Sequence, residues 1–251
     1  MPTTTLSAVA FVPARSGSKR VPDKNVRRLA GHPLLAYAIA GARASGVFSA
    51  VVCSTDSDVY ADIARHYGAE VPCLRPGPMA GDLSPDIEWV EHMLGTLAAA
   101  GRAFDCFSIV RPTSPFRRAE TIRRAWASFT GEPGVHSLRA VEKVTQHPGK
   151  MWVLRGGRLL PLMPASPADR PWHSAQYQAL PEIFIQNASL EIAWTRVVAD
   201  TGTIAGSVIV PFLTEALEGL DVNSPRDWAW AEELAGEHPE ALPPVDAPPY
   251  P

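Results

Sequence analysis

The stretch AFVPARSGSKRVPDKN, residues 10–25, decides how the chain is read. The apolar run from Ala8 to Val12 predicts a buried strand, which breaks at Pro13 into a loop. That loop carries four cations, Arg15, Lys19, Arg20 and Lys24, among the small residues Ser16, Gly17 and Ser18, and closes on Asn25. Backbone N–H groups near Ser16–Ser18 are placed to turn inward as an anion-binding nest, and the cations add point charges and a guanidinium fork. The combination suits a polyphosphate, although no G-x-x-x-x-G-K-[ST] pattern is present. A solvated basic turn after an edge strand is the plainer alternative.

Working outward, the chain alternates strands and helices. Apolar residues at helical spacing predict a helix over Pro33–Ala44 ending near Gly46, then a strand at Ala50–Ser54. Thr55–Asp58 reads as a loop with a helix cap, followed by a helix over Val59–Tyr67 and a further strand at Ala69–Leu74. Such succession predicts parallel βαβ units, with ligands bound beyond the carboxyl ends of the strands. The first loop, Thr55–Asp56 and Arg75 are therefore expected along one edge, facing one crevice. Further on, Asp82 or Ser84 is expected to cap a helix over Ile87–Ala100, and Phe104–Val110 to form a central strand. The strand runs into Arg111–Arg117, where two prolines fix the backbone and two hydroxyls, Thr113 and Ser114, project between arginines. A strand-to-helix turn with prolines as punctuation is the competing reading there.

A helix is expected over Ala119–Phe129 and a strand over Val135–Val144. Residues 145–182 then break the rhythm, with a hairpin turning at Gly156–Gly157. The segment carries Trp152, Trp172 and Tyr177, too much apolar surface for a solvated loop. Strands are expected around Gln186–Trp194 and Val208–Phe212, and Ser224–Pro225 reads as the start of a last helix. One domain over residues 1–235 and a disordered tail over 236–251 are the expected organisation.

Composition limits the functional classes. The chain has 251 residues, 46% of them hydrophobic, and a formal net charge of −3, so nothing suggests a general nucleic-acid or membrane binder. The basic residues of the first loop are a local feature. Cys53, Cys73 and Cys106 are widely spaced, which argues for reduced thiols in a cytoplasmic protein rather than a disulfide frame or zinc site. No signal peptide or membrane span is expected.

The first loop resembles the signature loop of the acylneuraminate cytidylyltransferases, which make CMP-sialic acid and related CMP-sugars. STDSD at 54–58, AEVPCLRP at 69–76, RPTSPFR at 111–117 and LDVNSPRDW at 220–228 resemble further segments of that family in the same order. The resemblance spans about residues 7–235. It implies an α/β fold of three layers, with a mostly parallel sheet of Rossmann-like nucleotidyltransferase type, in which the 145–182 insertion is a dimerisation arm. It also implies transfer of CMP from CTP to the anomeric hydroxyl of a nonulosonic or other 2-keto sugar acid, with Mg2+ as cofactor.

Phosphoryl transfer depends on positioning and electrostatics more than on a covalent nucleophile. Arg15, Lys19 and Lys24 are accordingly the candidates for the triphosphate and its leaving group, and Arg15, Lys24 and Asp221 for the catalytic set. Asn25 is expected at the base or ribose, and Arg75 at the nucleotide. Ala14, Ser16, Gly17, Ser18 and Asp82 complete the expected nucleotide site. Asp221, just before a helix, is the best magnesium ligand. The family often has a second carboxylate two residues on, where this chain has Asn223, a weaker neutral ligand.

On the acceptor side, Arg111 stands where sialic-acid enzymes usually carry Gln, and Tyr177 where they tend to have Arg before the Leu180–Pro181 pair. Their N-G-A-I-Y segment appears as Asn187–Glu191. Arg111, Thr113, Ser114, Lys150, Gln186, Asn187 and Glu191 are the expected sugar-site residues. A sugar-phosphate nucleotidyltransferase and a non-catalytic nucleotide-binding homologue are the rival readings. His147 and His173 lack a metal-ligand partner at helical spacing and are read as structural or substrate-contacting.

Overall fold

The structure, a computed structural model, describes residues 6–163 and 170–251; residues 164–169 of the expected insertion lie outside the described residues. The chain divides into two compact units, Met1–Ala140 with Asn187–Pro251, and Val141–Gln186.

The strands are β1 (Ala8–Pro13), β2 (Arg28–Leu29), β3 (His32–Pro33), β4 (Ala50–Ser54), β5 (Cys106–Ile109), β6 (Ser137–Lys143), β7 (Trp152–Arg155), β8 (Arg158–Pro161), β9 (Phe184–Trp194) and β10 (Ile209–Leu213). The helices are α1 (Leu34–Ser45), α2 (Asp58–His66), α3 (Asp86–Ala99), α4 (Ala119–Gly131), α5 (Thr195–Thr201) and α6 (Pro225–Glu237). The main sheet runs β10-β6-β9-β5-β1-β4. β1 pairs in parallel with both β4 and β5, whereas β5 and β9 are antiparallel.

β1 reads as an unbroken apolar run because both of its faces are covered, as in parallel sheets generally. Its side chains alternate between two cores. Ala8, Ala10 and Val12 join Leu35, Ile39, Ala64 and Phe129 from α1, α2 and α4. Val9 and Phe11 join Trp89, Met93 and Leu97 from α3 on the other side. Three layers follow directly from this alternation.

The order β4-β1-β5 also fixes where a ligand goes. The chain leaves β1 toward β4 on one side, then crosses to β5 on the other. That reversal opens a crevice at the carboxyl ends of β1 and β5.

Three local expectations are corrected. Ala69–Leu74 is not a strand: Glu70 makes one isolated bridge to Val52, and Pro72 has no N–H to continue a ladder. Asp82 and Ser84 do not cap α3. The cap position is Pro85, without a side-chain hydrogen bond, and Ser84 Oγ donates to the Pro78 carbonyl at 2.6 Å.

The tail, expected to be disordered, is packed. Leu242 is buried with Leu34, Tyr37 and Trp228, the Tyr250 N–H donates to the Tyr67 hydroxyl at 3.0 Å, and Arg28 donates to the Tyr250 carbonyl. Few apolar residues sufficed, because the prolines between them reduce the freedom lost on docking.

The short pair β2–β3 and helix α5 carried no clear periodicity. By contrast, Ser224 caps α6 in a reciprocal capping box with Asp227, as the Ser-Pro signal predicted. In the second unit, β7 and β8 form the expected hairpin. Gly156 and Gly157, at φ 53° and 74°, supply the left-handed backbone that a two-residue turn needs. Trp152, Leu154, Leu159 and Leu160 on this hairpin are exposed.

Candidate active site

A solvent-open cleft of about 200 Å³ lies at the carboxyl ends of β1 and β5. Of the expected site residues, Arg15, Ser18, Lys24, Asn25, Arg75, Asp82, Arg111 and Thr113 line it. The sequence placed the first loop, Asp56 and Arg75 along one edge, and the structure brings them together. The Arg75 N–H donates to the Thr55 carbonyl at 2.7 Å, and its guanidinium donates to Ser54 Oγ and to the Ser54 carbonyl.

Asp56 holds the first loop. Its two carboxylate oxygens accept from the Ser16 N–H and the Ser16 hydroxyl, each at 2.7 Å. Burial alone would raise this carboxyl, but the two Ser16 bonds, together with its own backbone N–H and nearby Arg75, hold it below the ordinary carboxylate range. The Ser16 N–H is thereby committed within the protein, which corrects the expectation that it belongs to an open anion nest. Gly17 follows at φ 71°, where a side chain would be strained although the space is open. Asn25 Nδ2 donates to the Arg15 carbonyl at 3.0 Å, so it braces the same loop from the other end. Ala14 is fully buried and bonds to the Ser54 carbonyl beneath the loop.

Lys24 links this loop to the segment before α6. Its Nζ donates to the Val222 carbonyl at 2.7 Å and to Asn223 Oδ1 at 3.3 Å. Burial lowers the Lys24 pKa, and nearby Asp221 only partly restores it. Asp221 Oδ2 accepts from Asn223 Nδ2, whereas Asp221 Oδ1 is buried without a hydrogen-bond partner among the described residues. A buried carboxylate oxygen left bare is costly, and a cation would relieve it. Asn223 is a different case. Its oxygen faces Lys24 and Arg20, so in this arrangement it is a bridge among side chains rather than an available ligand. Asp221 and Asn223 reach the cleft through Lys24; they do not line it.

Arg75 sits over the Trp89 ring, 4.8 Å from its centroid, and burial lowers its pKa to about 10. Arg111 is clasped between two carboxylates, Asp86 at the start of α3 and Glu191 on β9. Glu191 is nearly buried and also pairs with Arg139 from β6. Arg117 is wholly buried; its guanidinium donates to the carbonyls of Arg111 and Ser189, fixing the loop between them. Burial lowers its pKa to about 9.

Ser114 is buried beside this clamp with its hydroxyl unpartnered among the described residues. Asn187 is tied to Thr214 and to the Ser189 N–H. Lys150 and Gln186 belong to the second unit, where Lys150 donates to the carbonyls of His173 and Ala175 and Gln186 is exposed. His147 is also in that unit, bonded to the Pro181 carbonyl and the Gly149 N–H, a structural arrangement.

Asp86, Trp89 and Arg139 escaped the sequence reading. A carboxylate in the first turn of a helix looks like an ordinary response to the helix dipole. The remaining signal was Arg111 itself, a cation entering a buried site without a nearby partner in sequence.

Fold and cleft together define a nucleotidyltransferase-type α/β protein. A family profile described as "Cytidylyltransferase" matches residues 9–125. Over 240 residues the chain is 35% identical to CMP-N,N'-diacetyllegionaminic acid synthase of Legionella pneumophila, covering 93% of this chain and 98% of that protein. It is 40% identical over 117 residues to N-acylneuraminate cytidylyltransferase of Escherichia coli, covering 47% of this chain and 27% of that protein. Among solved structures, CMP:2-keto-3-deoxy-manno-octonic acid synthetase complexed with CTP matches with a TM-score of 0.68 at 15% identity, over 92% of this chain and 99% of that one, a likeness of fold. The chain belongs to the cytidylyltransferase family.

Proposed function

We propose that this cytidylyltransferase transfers CMP from CTP to the anomeric hydroxyl of a nonulosonic acid. The hydroxyl oxygen attacks the α-phosphorus, the bond to the β-phosphate oxygen breaks, pyrophosphate leaves, and the hydroxyl proton is lost to solvent or base. The observation that carries this reading is the convergence of Arg15, Lys24 and Arg75 in one cleft at the carboxyl ends of β1 and β5. Arg15 and Lys24 are suited to the phosphates. Arg75 is largely committed to Ser54, so it shapes the floor and adds positive potential. The names of the relatives support the sugar-acid class, since three of them act on legionaminic, acylneuraminic and pseudaminic acids.

Asp221 is the residue suited to hold magnesium, by its bare buried oxygen. The ion would offset charge on the phosphates when bound. Magnesium usually takes one or two carboxylates, with water and phosphate oxygens as its other ligands.

The second unit is suited to dimer formation, because Trp152, Leu154, Leu159 and Leu160 expose apolar surface that a second copy would cover. Sedimentation of the full chain should then show a dimer. No described helix is long and apolar enough to cross a membrane, and a cytoplasmic setting suits an enzyme using CTP.

The test is pyrophosphate release from CTP across a panel of nonulosonic acids, 3-deoxy keto acids and sugar 1-phosphates. Release with nonulosonic acids is expected. Release only with sugar 1-phosphates would replace the acceptor class, and CTP binding without release would favour a binding module.

A further inference from the structure

Asp82 is exposed and lies in the cleft, yet its carboxylate grips two of the cations assigned to phosphate. Arg15 Nη2 stands 2.9 Å from Asp82 Oδ1 and Lys19 Nζ 2.5 Å from Oδ2. Arg15 Nη1 also donates to the Ala80 carbonyl at 3.3 Å. These bonds tie the Gly77–Ser84 segment across the mouth of the first loop. The segment is otherwise braced mainly by its own turn bonds, Met79 N–H to Pro76 and Ser84 to Pro78 and Gly81, and by Met79 packing at the edge of the core. Leu83 beside Asp82 is 96% exposed and anchors nothing.

We propose that Asp82 is a charge gate: in the empty site its carboxylate occupies Arg15 and Lys19, and only a ligand with adjacent phosphates displaces it. This rests on the triphosphate reading of the cleft. Ion pairs this exposed are weak, so a group of higher charge that accepts from both cations outcompetes a single carboxylate. A nucleoside monophosphate offers no second phosphate to reach them. The competition therefore acts on CTP and pyrophosphate, which need these cations, and leaves CMP unaffected. After transfer, Asp82 competes with pyrophosphate for both cations and so eases its departure. The carboxyl is held below the ordinary range by its bonds from Lys19 and Arg15, so the gate stays charged at neutral pH.

The test is calorimetric titration of the full chain, with magnesium present, using pyrophosphate, CTP and CMP against wild type, Asp82→Asn and Asp82→Glu. Asp82→Asn should bind pyrophosphate and CTP about three- to tenfold more tightly, with CMP affinity unchanged. Asp82→Glu, which keeps the charge, should behave as wild type. Equal or weaker pyrophosphate binding by Asp82→Asn overturns the gate. Tighter pyrophosphate binding by Asp82→Asn with CTP bound by neither protein supports the gate and overturns the CTP reading.

Discussion

Lys24 Nζ donates to the Val222 carbonyl at 2.7 Å, joining the first loop of the chain to the segment that carries Asp221, nearly 200 residues away in sequence. A cation that would face the triphosphate and a carboxylate that would face a metal are thus held at fixed separation by one hydrogen bond.

Replacing Lys24 by Ala should reduce kcat/KM for CTP by about a hundredfold or more, since preorganised charge at the phosphates supplies several kcal/mol. The melting temperature should fall by only a few degrees, because each of its two partly buried hydrogen bonds contributes about 1 kcal/mol. Burial lowers the Lys24 pKa, so the folded protein releases this proton at lower pH than an ordinary lysine. CTP affinity should accordingly weaken on the alkaline side before pH 10.5, the ordinary lysine value. Binding titrations between neutral and alkaline pH check the sign; an affinity that holds beyond that value would remove Lys24 from the phosphate site.

Asp56→Asn should raise KM for CTP by about tenfold, with kcat affected less, because Ser16 loses a charge-assisted acceptor and the loop loosens. The stability contributed by this contact is complete above the ordinary carboxylate pKa and is lost as pH falls through the lower folded value. Acid denaturation should therefore begin at higher pH in wild type than its midpoint alone suggests, and the variant's curve should be flatter there. Identical acid limbs in the two proteins would show the contact to be unformed in solution.

How legible these relationships were depends on their range in sequence. The β1 run, the Ser-Pro start of α6 and the Gly156–Gly157 hairpin were readable, because each is decided within a few residues by burial, capping or backbone freedom. The convergence of the first loop with Asp56 followed from strand order, whereas Arg75 reaches the same edge although the strand expected before it is one bridge. The partners were not readable: whether Asp56 faces Ser16 or solvent, and whether Asp86 serves the helix dipole or Arg111, depends on three-dimensional neighbours. Ala69–Leu74 had strand composition, but its neighbours leave it one bridge. The proline-rich tail has disorder-like composition, and only the groove receiving Leu242 and Tyr250 reveals that it docks.

Arg111→Ala should destabilise the protein by about 1–3 kcal/mol, measured as a shift in the urea midpoint, since it strips one partner from nearly buried Glu191 and one from Asp86. Arg139 still holds Glu191, which keeps the loss below that of a fully unpaired buried charge. No shift in midpoint would mean that the pairing is exposed and weak.

Asp221→Ala should lose about a thousandfold in CTP turnover, the rate equivalent of several kcal/mol of metal assistance. It should also lose the extra thermal stabilisation that magnesium confers in the presence of CTP. Retention of that stabilisation would place the ion on other ligands.

The central claim is that the crevice beyond β1 and β5 receives the triphosphate, and a crystal structure grown with CTP and magnesium tests it most directly. The expected result has the phosphates among Arg15, Lys19 and Lys24, with the ion on Asp221 and Asp82 released from both cations. A triphosphate bound elsewhere, with Arg15 and Lys24 untouched, would contradict it.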